Sequence, residues 1–372
     1  MKRRMTALVL GVVLSMAALA GCGSGGASSG TPQSSKTTDA SEESPSAAAA
    51  DGTVTKSDSG SLVIYTALED DQIEPYLTSF REQYPDIELE VNRISTSTLV
   101  SKVIAEKDNP VADVLWGVAA SSLLSLAEYD GMIQPYTPEG ADRILPQFKD
   151  TEEELRWCGI DAYEGTMLVN TKLCKELGLD VPESWEDLLD PQYEGHIVMP
   201  DPAASGTGLL IVNGWLQMFD DGWDYIEQLN KNMAEYTDSG SKPAKMAAAG
   251  ETVIGLSFGY RCILLQEDNP EETVVVFPSE GSGWDVEANC LLAKDEINPC
   301  AYTFLDWAIT DEAMEAYAKE MPIVAIGTNG EVPEGYNQDP SLNLYADLDL
   351  YKAAAERQDI LDKFTNEITS GN

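Results

Sequence analysis

The chain alternates between short strand patterns and helix patterns, and this alternation restricts its fold more than any other feature. Residues 62–66 form an apolar, β-branched run of the kind found in buried strands. Apolar side chains then recur at helical spacing over residues 73–84, and residues 87–91 alternate as in a second strand. Such alternation indicates parallel strands joined by crossover helices. The sequence therefore predicts an α/β fold.

The same alternation continues through the rest of the chain. Strand patterns cover residues 112–116, 197–199, 253–258 and 273–277, and helix patterns cover residues 121–129, 208–219, 223–229 and 242–249. The length of 372 residues fits two lobes, at about 100–200 residues per domain. Sheets of this kind bind ligands beyond the carboxyl ends of their strands, next to helix N-termini. We therefore expect a ligand site in a cleft between two α/β lobes.

The first 22 residues have the pattern of an export signal. Basic residues at positions 2–4 precede an apolar run, residues 5–20, that is too short for a lasting membrane span. The run leads into Leu-Ala-Gly-Cys, ending at Cys22, which resembles the bacterial lipobox, where the cysteine is diacylated before cleavage. We expect lipidation at Cys22 and an extracytoplasmic protein anchored to the bacterial cell membrane. Residues 23–60 are predicted to be a disordered tether.

The charge of the chain excludes several classes of function. Lys and Arg number 23 against 64 Asp and Glu, which gives a formal net charge of −41. Such a protein cannot neutralise a phosphate backbone or an anionic membrane surface, which excludes nucleic acid as a partner. The single histidine, His196, has no nucleophile motif beside it. We therefore expect no enzymatic activity, no multi-histidine metal site and no cofactor.

The cysteines of the body do not form a recognisable motif. They are Cys158, Cys174, Cys262, Cys290 and Cys300. No pair has the C-x-x-C spacing, so zinc and redox motifs are absent from the sequence. We expect most of these residues to be small buried hydrophobic side chains, and whether any of them pair stays open.

Three helix entries are rich in glycine and hydroxyl groups. The residues concerned are Ser205, Gly206 and Thr207 in one entry, Ser239, Gly240 and Ser241 in a second, and Thr96 in a third. Glycine lets the backbone approach a ligand, hydroxyl groups donate hydrogen bonds, and the first N–H groups of a helix point at an anion. The same composition also suits a plain helix N-cap. The sequence leaves both interpretations open.

Several segments of the body together resemble one protein family. They read YTALEDD from Tyr65, ADVLWG from Ala112, VMPDPAASGTG from Val198, YTDSGSKP from Tyr236 and GWDVEA from Gly283. With the preceding export signal, they resemble the extracytoplasmic solute-binding proteins of ABC importers. Within this family they are most similar to the branch for 2-aminoethylphosphonate, which is related to the ferric-iron and polyamine binders. The resemblance covers residues 61–364.

The resemblance implies a type 2 periplasmic-binding fold. Such a fold has two α/β lobes, a ligand cleft, two crossover strands and a hinge that closes on the ligand. Lobe 1 would comprise residues 61–163 and 286–372, and lobe 2 residues 164–285. The implied function is the capture of a small phosphonate by a monomer, which delivers it to an ABC permease in the membrane.

The implied ligand carries an ammonium group as well as a phosphonate, so its site needs carboxylates. Glu69 and Asp70 follow the first predicted strand, which ends at Thr66, and one of them is expected to face the ammonium group. Their alternative role is to offset a helix dipole. Asp285 and Glu287, which flank a turn after Gly281-Ser282-Gly283, are further candidates for the ammonium end of the site, for which the alternative is a solvated loop. Thr66 belongs to the same expected site.

Tyr260 follows another predicted strand end, and its phenol is expected either to donate to the phosphonate or to pack between the lobes. The chain departs from the aminophosphonate branch at Gly259, where an acidic residue is common. A ferric-iron binder of this fold would use adjacent tyrosines, and no such pair occurs in the sequence. A polyamine binder would need carboxylates at both ends of an aromatic cleft and no anion cradle. These two ligand classes are the alternatives to a phosphonate.

Overall fold

The computed structural model describes residues 54–129, 131–328, 331–337 and 339–370. The predicted signal, Cys22 and most of the predicted tether lie outside these residues. Strand β1 begins at Ser59, two residues before the predicted start of the body.

Eleven strands and twelve α-helices form the described part of the chain. The strands are β1 Ser59–Thr66, β2 Asp86–Arg93, β3 Val114–Ala119, β4 Ile133–Gln134, β5 Cys158–Asn170, β6 Ile197–Pro200, β7 Met233–Thr237, β8 Ile254–Phe258, β9 Thr273–Val276, β10 Trp284–Leu292 and β11 Ile323–Val324. The helices are α1 Asp70–Gln83, α2 Thr96–Ala105, α3 Ala120–Ala127, α4 Thr171–Leu177, α5 Gly206–Met218, α6 Gly222–Leu229, α7 Lys242–Ala249, α8 Gly259–Asp268, α9 Pro299–Trp307, α10 Asp311–Tyr317, α11 Leu350–Ala355 and α12 Arg357–Lys363. A π-helical turn, Phe364–Thr369, continues α12.

The first lobe is built on the strand order β2-β1-β3-β10-β5. Strand β1 is parallel to β2 and β3, whereas β10 is antiparallel to β3 and β5. All six residues of β3 are buried. A parallel strand that is apolar along its whole length is typical of a sheet covered by helices on both faces.

The second lobe is built on the order β5-β8-β6-β7. Strand β6 is parallel to β7 and β8, and β5 is antiparallel to β8 and β9. The parallel strands of each lobe end where helices begin, as the alternation in the sequence predicts. This arrangement places helix N-termini at the carboxyl edge of each sheet.

Two long strands connect the lobes. Strand β5 pairs with β10 in its first half and with β8 in its second half, and all thirteen of its residues are buried. Strand β10 runs back beside it into the first lobe. The expected fold, two α/β lobes joined by two crossover strands, is therefore confirmed.

Each lobe has its own hydrophobic core. In the first, Phe80 packs edge-on against Phe304 and Trp307, with ring centroids 5.2 and 5.1 Å apart. In the second, Trp185 packs edge-on against Trp215 at 5.4 Å. Because the two cores are separate, each lobe can keep its packing while the connecting strands bend.

The C-terminal segment is divided between the lobes, whereas the predicted boundaries assign all of residues 286–372 to lobe 1. Leu350 and Ala354 of α11 belong to the first core. Ile360 of α12 and Phe364 belong to the second, where the Phe364 ring meets Tyr236 at 5.5 Å. The chain returns to lobe 2 because α12 and the turn after it carry apolar side chains that only the second core covers.

The five cysteines of the body are all buried and unpaired, as predicted for small hydrophobic side chains. None of the helices in the described part of the chain combines the length and apolar character needed to cross a bilayer.

Candidate functional site

A narrow cavity lies between the two lobes, where the carboxyl ends of their parallel strands meet. The space left inside it is about 40 Å³, so the lobes are closed on one another. Both lobes contribute to its wall, which comprises Ala67, Glu69, Gln72, Arg93, Ser95, Thr96, Gly117, Ala119, Tyr163, Ser205, Gly206, Thr207, Gly240, Phe258 and Glu287.

Six helices begin at this wall. It includes the N-cap residues of α1, α2, α3, α5 and α8, and Gly240, which precedes the N-cap Ser241 of α7. A helix N-terminus carries a partial positive charge, about half an elementary charge, and N–H groups without an intrahelical partner. Several such ends add up at this cavity, which therefore favours an anion.

Four of the six helices lack the side-chain cap that usually satisfies their first N–H groups. The N-cap side chains of α2, α5, α7 and α8 accept no hydrogen bond from their own helix. By contrast, α4, α6, α9, α10 and α11, whose N-cap residues are not part of the wall, are each capped by an Asn, Asp or Thr side chain. Ser95 and Ser205 are good capping residue types that do not cap here, which leaves their helices' N–H groups for another acceptor.

Arg93 adds a full positive charge to the same wall. Its Nη2 lies 2.7 Å from Glu69 Oε1, and its Nε donates to the Leu68 carbonyl oxygen at 3.2 Å. Arg93 is not among the predicted site residues. The signal that could have found it is its position as the last residue of β2, in parallel register with Thr66 at the end of β1.

The Glu69 carboxylate is held by groups of the protein itself. Besides Arg93, it accepts a hydrogen bond from Ser241 Oγ at 3.2 Å, and Arg261 Nη2 lies 3.7 Å from it. Ser241 and Arg261 belong to the second lobe, so Glu69 links the lobes across the cavity. With two guanidinium groups beside it, this carboxylate has little need of a ligand's ammonium group.

The structure brings most of the predicted anion-binding residues together. The hydroxyl and glycine residues that form part of the wall are Thr96, Ser205, Gly206, Thr207 and Gly240. They come from both lobes and approach closely: a Cβ on Gly206 would lie 2.7 Å from Thr96 Oγ1. Ser239 and Ser241 lie next to this group, with their hydroxyl oxygens 3.3 Å apart.

Like Ser239 and Ser241, four further predicted residues lie outside the wall, and these four, Thr66, Asp70, Tyr260 and Asp285, have other surroundings. Thr66 Oγ1 accepts from the Leu68 N–H at 3.2 Å, and Asp70 is exposed. Tyr260 is buried, and burial together with the nearby Glu320 carboxylate raises its pKa.

Asp285 caps a helix. It accepts from Ser121 Oγ and from the Ser121 N–H, the latter at 3.3 Å, at the start of α3. Burial raises its pKa to about 6 against the effect of these bonds.

A pair of buried carboxyl groups lies at the crossover strands. Glu287 of β10 is part of the cavity wall and is directly opposite Asp161 of β5. Burial raises the pKa of both groups well above the ordinary range, and the charge of Asp161 raises the pKa of Glu287 further, so the pair holds a proton. Both oxygens of Asp161 and Oε2 of Glu287 have no hydrogen-bond donor within the described residues.

Direct contacts hold the lobes closed. Ser97 Oγ of α2 donates to the Pro202 carbonyl oxygen at 2.9 Å, and Arg261 Nη2 of α8 donates to Asp71 Oδ1 of α1 at 2.7 Å. Together with the Ser241–Glu69 bond, these contacts surround the cavity with links between the lobes.

Residues 109–344 match the sequence profile of a family described as bacterial extracellular solute-binding protein. The chain is similar to the periplasmic binding protein AfuA from Actinobacillus pleuropneumoniae, solved with fructose-6-phosphate bound: 29% identity, 83% of this chain, 99% of that chain and a TM-score of 0.75. It is 28% identical to an uncharacterized protein of Haemophilus influenzae, over 83% of this chain and 91% of the relative. It is 26% identical to a probable ABC transporter periplasmic-binding protein of Sinorhizobium fredii, over 65% and 67% respectively.

Proposed function

Because the chain belongs to the family of bacterial extracellular solute-binding proteins, a transport family and not an enzyme family, we propose a cargo for it. The cargo is a small organic phosphonate, with 2-aminoethylphosphonate as the first candidate. It is held in the cavity between the lobes and delivered to the membrane permease of an ABC importer. The observation that carries this proposal is the meeting of four uncapped helix N-termini with Arg93 at one cavity wall.

A phosphonate entering the cavity loses most of its hydration, and only dense hydrogen-bond donors offset that loss. The backbone N–H groups of α2 and α5, the hydroxyl groups of Thr96 and Thr207 and the guanidinium of Arg93 are such donors. They lie on both lobes, so an anion between them favours the closed form. The net charge of −41 makes this local set of donors all the more necessary, because the protein as a whole repels anions.

A phosphate ester is a second candidate, because AfuA, 29% identical to this chain, was solved with fructose-6-phosphate bound. The two candidates share a tetrahedral anion and differ in what it is attached to. Ferric iron and polyamines have less support. Tyr163 is the one tyrosine in the wall of this cavity, and within the described residues no three His, Cys, Asp or Glu side chains are grouped to hold a metal.

Isothermal titration calorimetry of the protein with 2-aminoethylphosphonate tests the proposal. Thr207→Ala removes a hydroxyl donor, and Arg93→Gln removes the positive charge. Each should weaken binding roughly 10- to 150-fold, because a hydrogen bond to a charged group contributes about 1.5–3 kcal/mol. Thr207→Ser keeps the hydroxyl group and should bind nearly as the unmodified protein does. Arg81→Gln, which breaks an exposed ion pair with Glu74 on α1, is the matched control for charge. Unchanged binding in both cavity variants, or no binding of any phosphonate or phosphate ester, would contradict the proposal.

The anchor is a separate part of the proposal. Its support is the lipobox ending at Cys22, which lies outside the described residues. The unmodified protein should incorporate labelled fatty acid in bacterial cells, and Cys22→Ala should not. Labelling of the variant would show that Cys22 is not the acylated residue.

A further inference from the structure

The Asp161–Glu287 pair has no partner that explains its burial. Asp161 is fully buried and Glu287 is 9% exposed, and neither forms an ion pair within the described part of the chain. A buried carboxylate normally has a cation or several donors beside it, because its desolvation is otherwise strongly unfavourable. A pair of carboxyl groups in contact, with unpartnered oxygens at a ligand cavity, is therefore a feature that folding alone does not account for.

The backbone places Glu287 at the cavity, with Asp161 directly beside it on the neighbouring strand. Glu287 lies opposite Asp161 on β5 and opposite Ala119 on β3, and Ala119 is itself part of the cavity wall. Directly beyond Glu287 the register shifts: Ala288 pairs with Gly159, which leaves Ile160 as an extra residue in β5. Bulges of this kind occur beside functional sites and re-aim neighbouring side chains.

No basic side chain among the described residues faces the pair, so the pair does not serve to neutralise a cation of the protein itself. The groups that face it are Glu69 and Tyr76 of α1, Tyr163 of β5, Tyr317 of α10 and Glu320 of the following loop, and none is basic. Arg93, which shares the cavity wall, is paired with Glu69. The N-terminus of α3 nearby is already capped by Asp285. A positive charge can approach Glu287 from the cavity, because Glu287 is part of its wall.

We infer that the Asp161–Glu287 pair is the subsite for an ammonium group, so that the cavity selects phosphonates that carry an amine over those with an uncharged tail. This inference rests on the proposed function, because the ligand's anion must be held at the helix N-termini while its amine meets the pair. An ammonium group supplies both the positive charge and the donors that the unpartnered oxygens lack.

The test compares two ligands that differ at one group. Calorimetric titrations use 2-aminoethylphosphonate and 2-hydroxyethylphosphonate, in which a neutral hydroxyl replaces the ammonium. The unmodified protein should prefer the amine by roughly 10- to 150-fold, and Glu287→Gln should lose that preference while binding the hydroxyl ligand nearly as before. Glu164→Gln is the matched control: Glu164 is also a buried carboxyl group on a crossover strand without a partner for its Oε1, but it is not part of the cavity wall.

A second measurement uses only the unmodified protein, titrated with both ligands at several pH values. In the free protein the pair holds a proton, and an ammonium group in contact lowers the pKa of a carboxyl group, so the complex carries fewer protons. The preference for the amine should therefore rise as the pH rises toward the range in which the pair of the free protein loses its proton.

The outcomes separate the two claims. If the unmodified protein binds both phosphonates equally, or Glu287→Gln weakens both equally, or the preference does not change with pH, the ammonium subsite is wrong and the phosphonate cargo stands. If neither phosphonate binds, both claims are wrong.

Discussion

At the scale of single residues, the carboxyl groups with a shifted pKa divide into those with a basic partner and those without one. Burial raises the pKa of Asp71, but the hydrogen bond and charge of Arg261 outweigh it, and the pKa is lowered overall. Asp150 behaves in the same way beside Arg156. Glu164 and the Asp161–Glu287 pair have no such partner, and burial raises their pKa. The first kind holds the fold together, whereas the second is destabilising unless protonated.

Glu164 gives a prediction about stability and pH. Burial raises its pKa from the ordinary 4.5 to about 8, so the folded protein binds a proton here that the unfolded chain releases. The stability contributed by this group is fully present below about pH 4.5 and is lost as the pH rises through about 8. Glu164→Gln carries no such proton. Relative to the unmodified protein, it should be more stable at about pH 9 than at about pH 5, by a few kcal/mol at roughly 1.4 kcal/mol per pKa unit.

Thermal or denaturant unfolding at the two pH values measures this difference. Any effect of the glutamine side chain on packing is the same at both pH values, so it cancels when the two stability differences are compared. A stability difference that does not change with pH would show that Glu164 is ionised in the folded protein.

Part of the site could be predicted from residue types, and part could not. Thr96, Gly206 and Thr207 combine a hydroxyl group or a glycine with a helix start, and the structure places them in the cavity wall. The role of Asp285 could not be predicted, because its partner Ser121 lies 164 residues away in the sequence. Gly259 is explained only by the fold, since an added Cβ there would lie 2.3 Å from Glu164 Oε1.

At the scale of elements, the strand and helix patterns predicted much of each lobe. The predicted strand over residues 197–199 is β6, and the predicted helix over residues 121–129 is α3, shifted by one or two residues. No pattern in the sequence marks β5 and β10, the crossover strands, and their existence was implied only by the family resemblance. Asp161, Glu164 and Glu287 are buried acidic residues near the cleft, and they interrupt the apolar runs of these two strands. For this reason the strands do not show the continuous apolar pattern of a buried strand.

The start of α5 gives a prediction about closure. Gly206→Ala would place a Cβ 2.7 Å from Thr96 Oγ1 and 2.8 Å from Thr96 Cβ, on a helix of the other lobe. The clash exists only when the lobes are closed, so the variant should fold normally. Binding of 2-aminoethylphosphonate should weaken roughly 5- to 150-fold, because an extra methyl group in a tightly packed contact costs about 1–3 kcal/mol.

Gly327→Ala is the matched control, because a Cβ there meets nothing within 4 Å. Melting temperatures without ligand and calorimetry with it separate the two effects. A loss of stability in Gly206→Ala without ligand, equal in size to the loss of binding, would contradict a role confined to the closed form.

At the scale of the whole molecule, the two lobes are closed by contacts of the protein itself. The Arg261–Asp71 pair is one of these, and the Asp71 side chain is 50% exposed. An ion pair this exposed contributes about 0.2–1 kcal/mol, so Asp71→Asn should weaken ligand binding by roughly 1.5- to 5-fold and favour the open form. Small-angle X-ray scattering should show a larger radius of gyration for the ligand-free variant than for the ligand-free unmodified protein.

Asp70→Asn is the control, since Asp70 is the exposed neighbour of Asp71. It removes the same charge without removing the contact between the lobes. Equal effects of the two substitutions would show that net charge, and not the ion pair, governs closure.

The course of the chain between the lobes was only partly predictable. The family resemblance implied two crossovers, and the structure adds others in the C-terminal segment: Tyr336 packs against Phe277 of lobe 2, α11 belongs to the first core and α12 to the second. The apolar residues of α12 show that this helix is buried, but nothing in their spacing shows which of two cores covers it. The assignment of an apolar helix to one lobe or the other depends on contacts that only the folded chain has.

A crystal structure of the protein grown with 2-aminoethylphosphonate would show whether a phosphonate occupies the cavity between the lobes. We expect electron density for the phosphonate group between the helix N-termini of α2 and α5, within hydrogen-bond distance of Thr96, Thr207 and the Arg93 guanidinium. Density for the ligand elsewhere on the protein, or a phosphonate group turned away from these residues inside the cavity, would contradict this expectation.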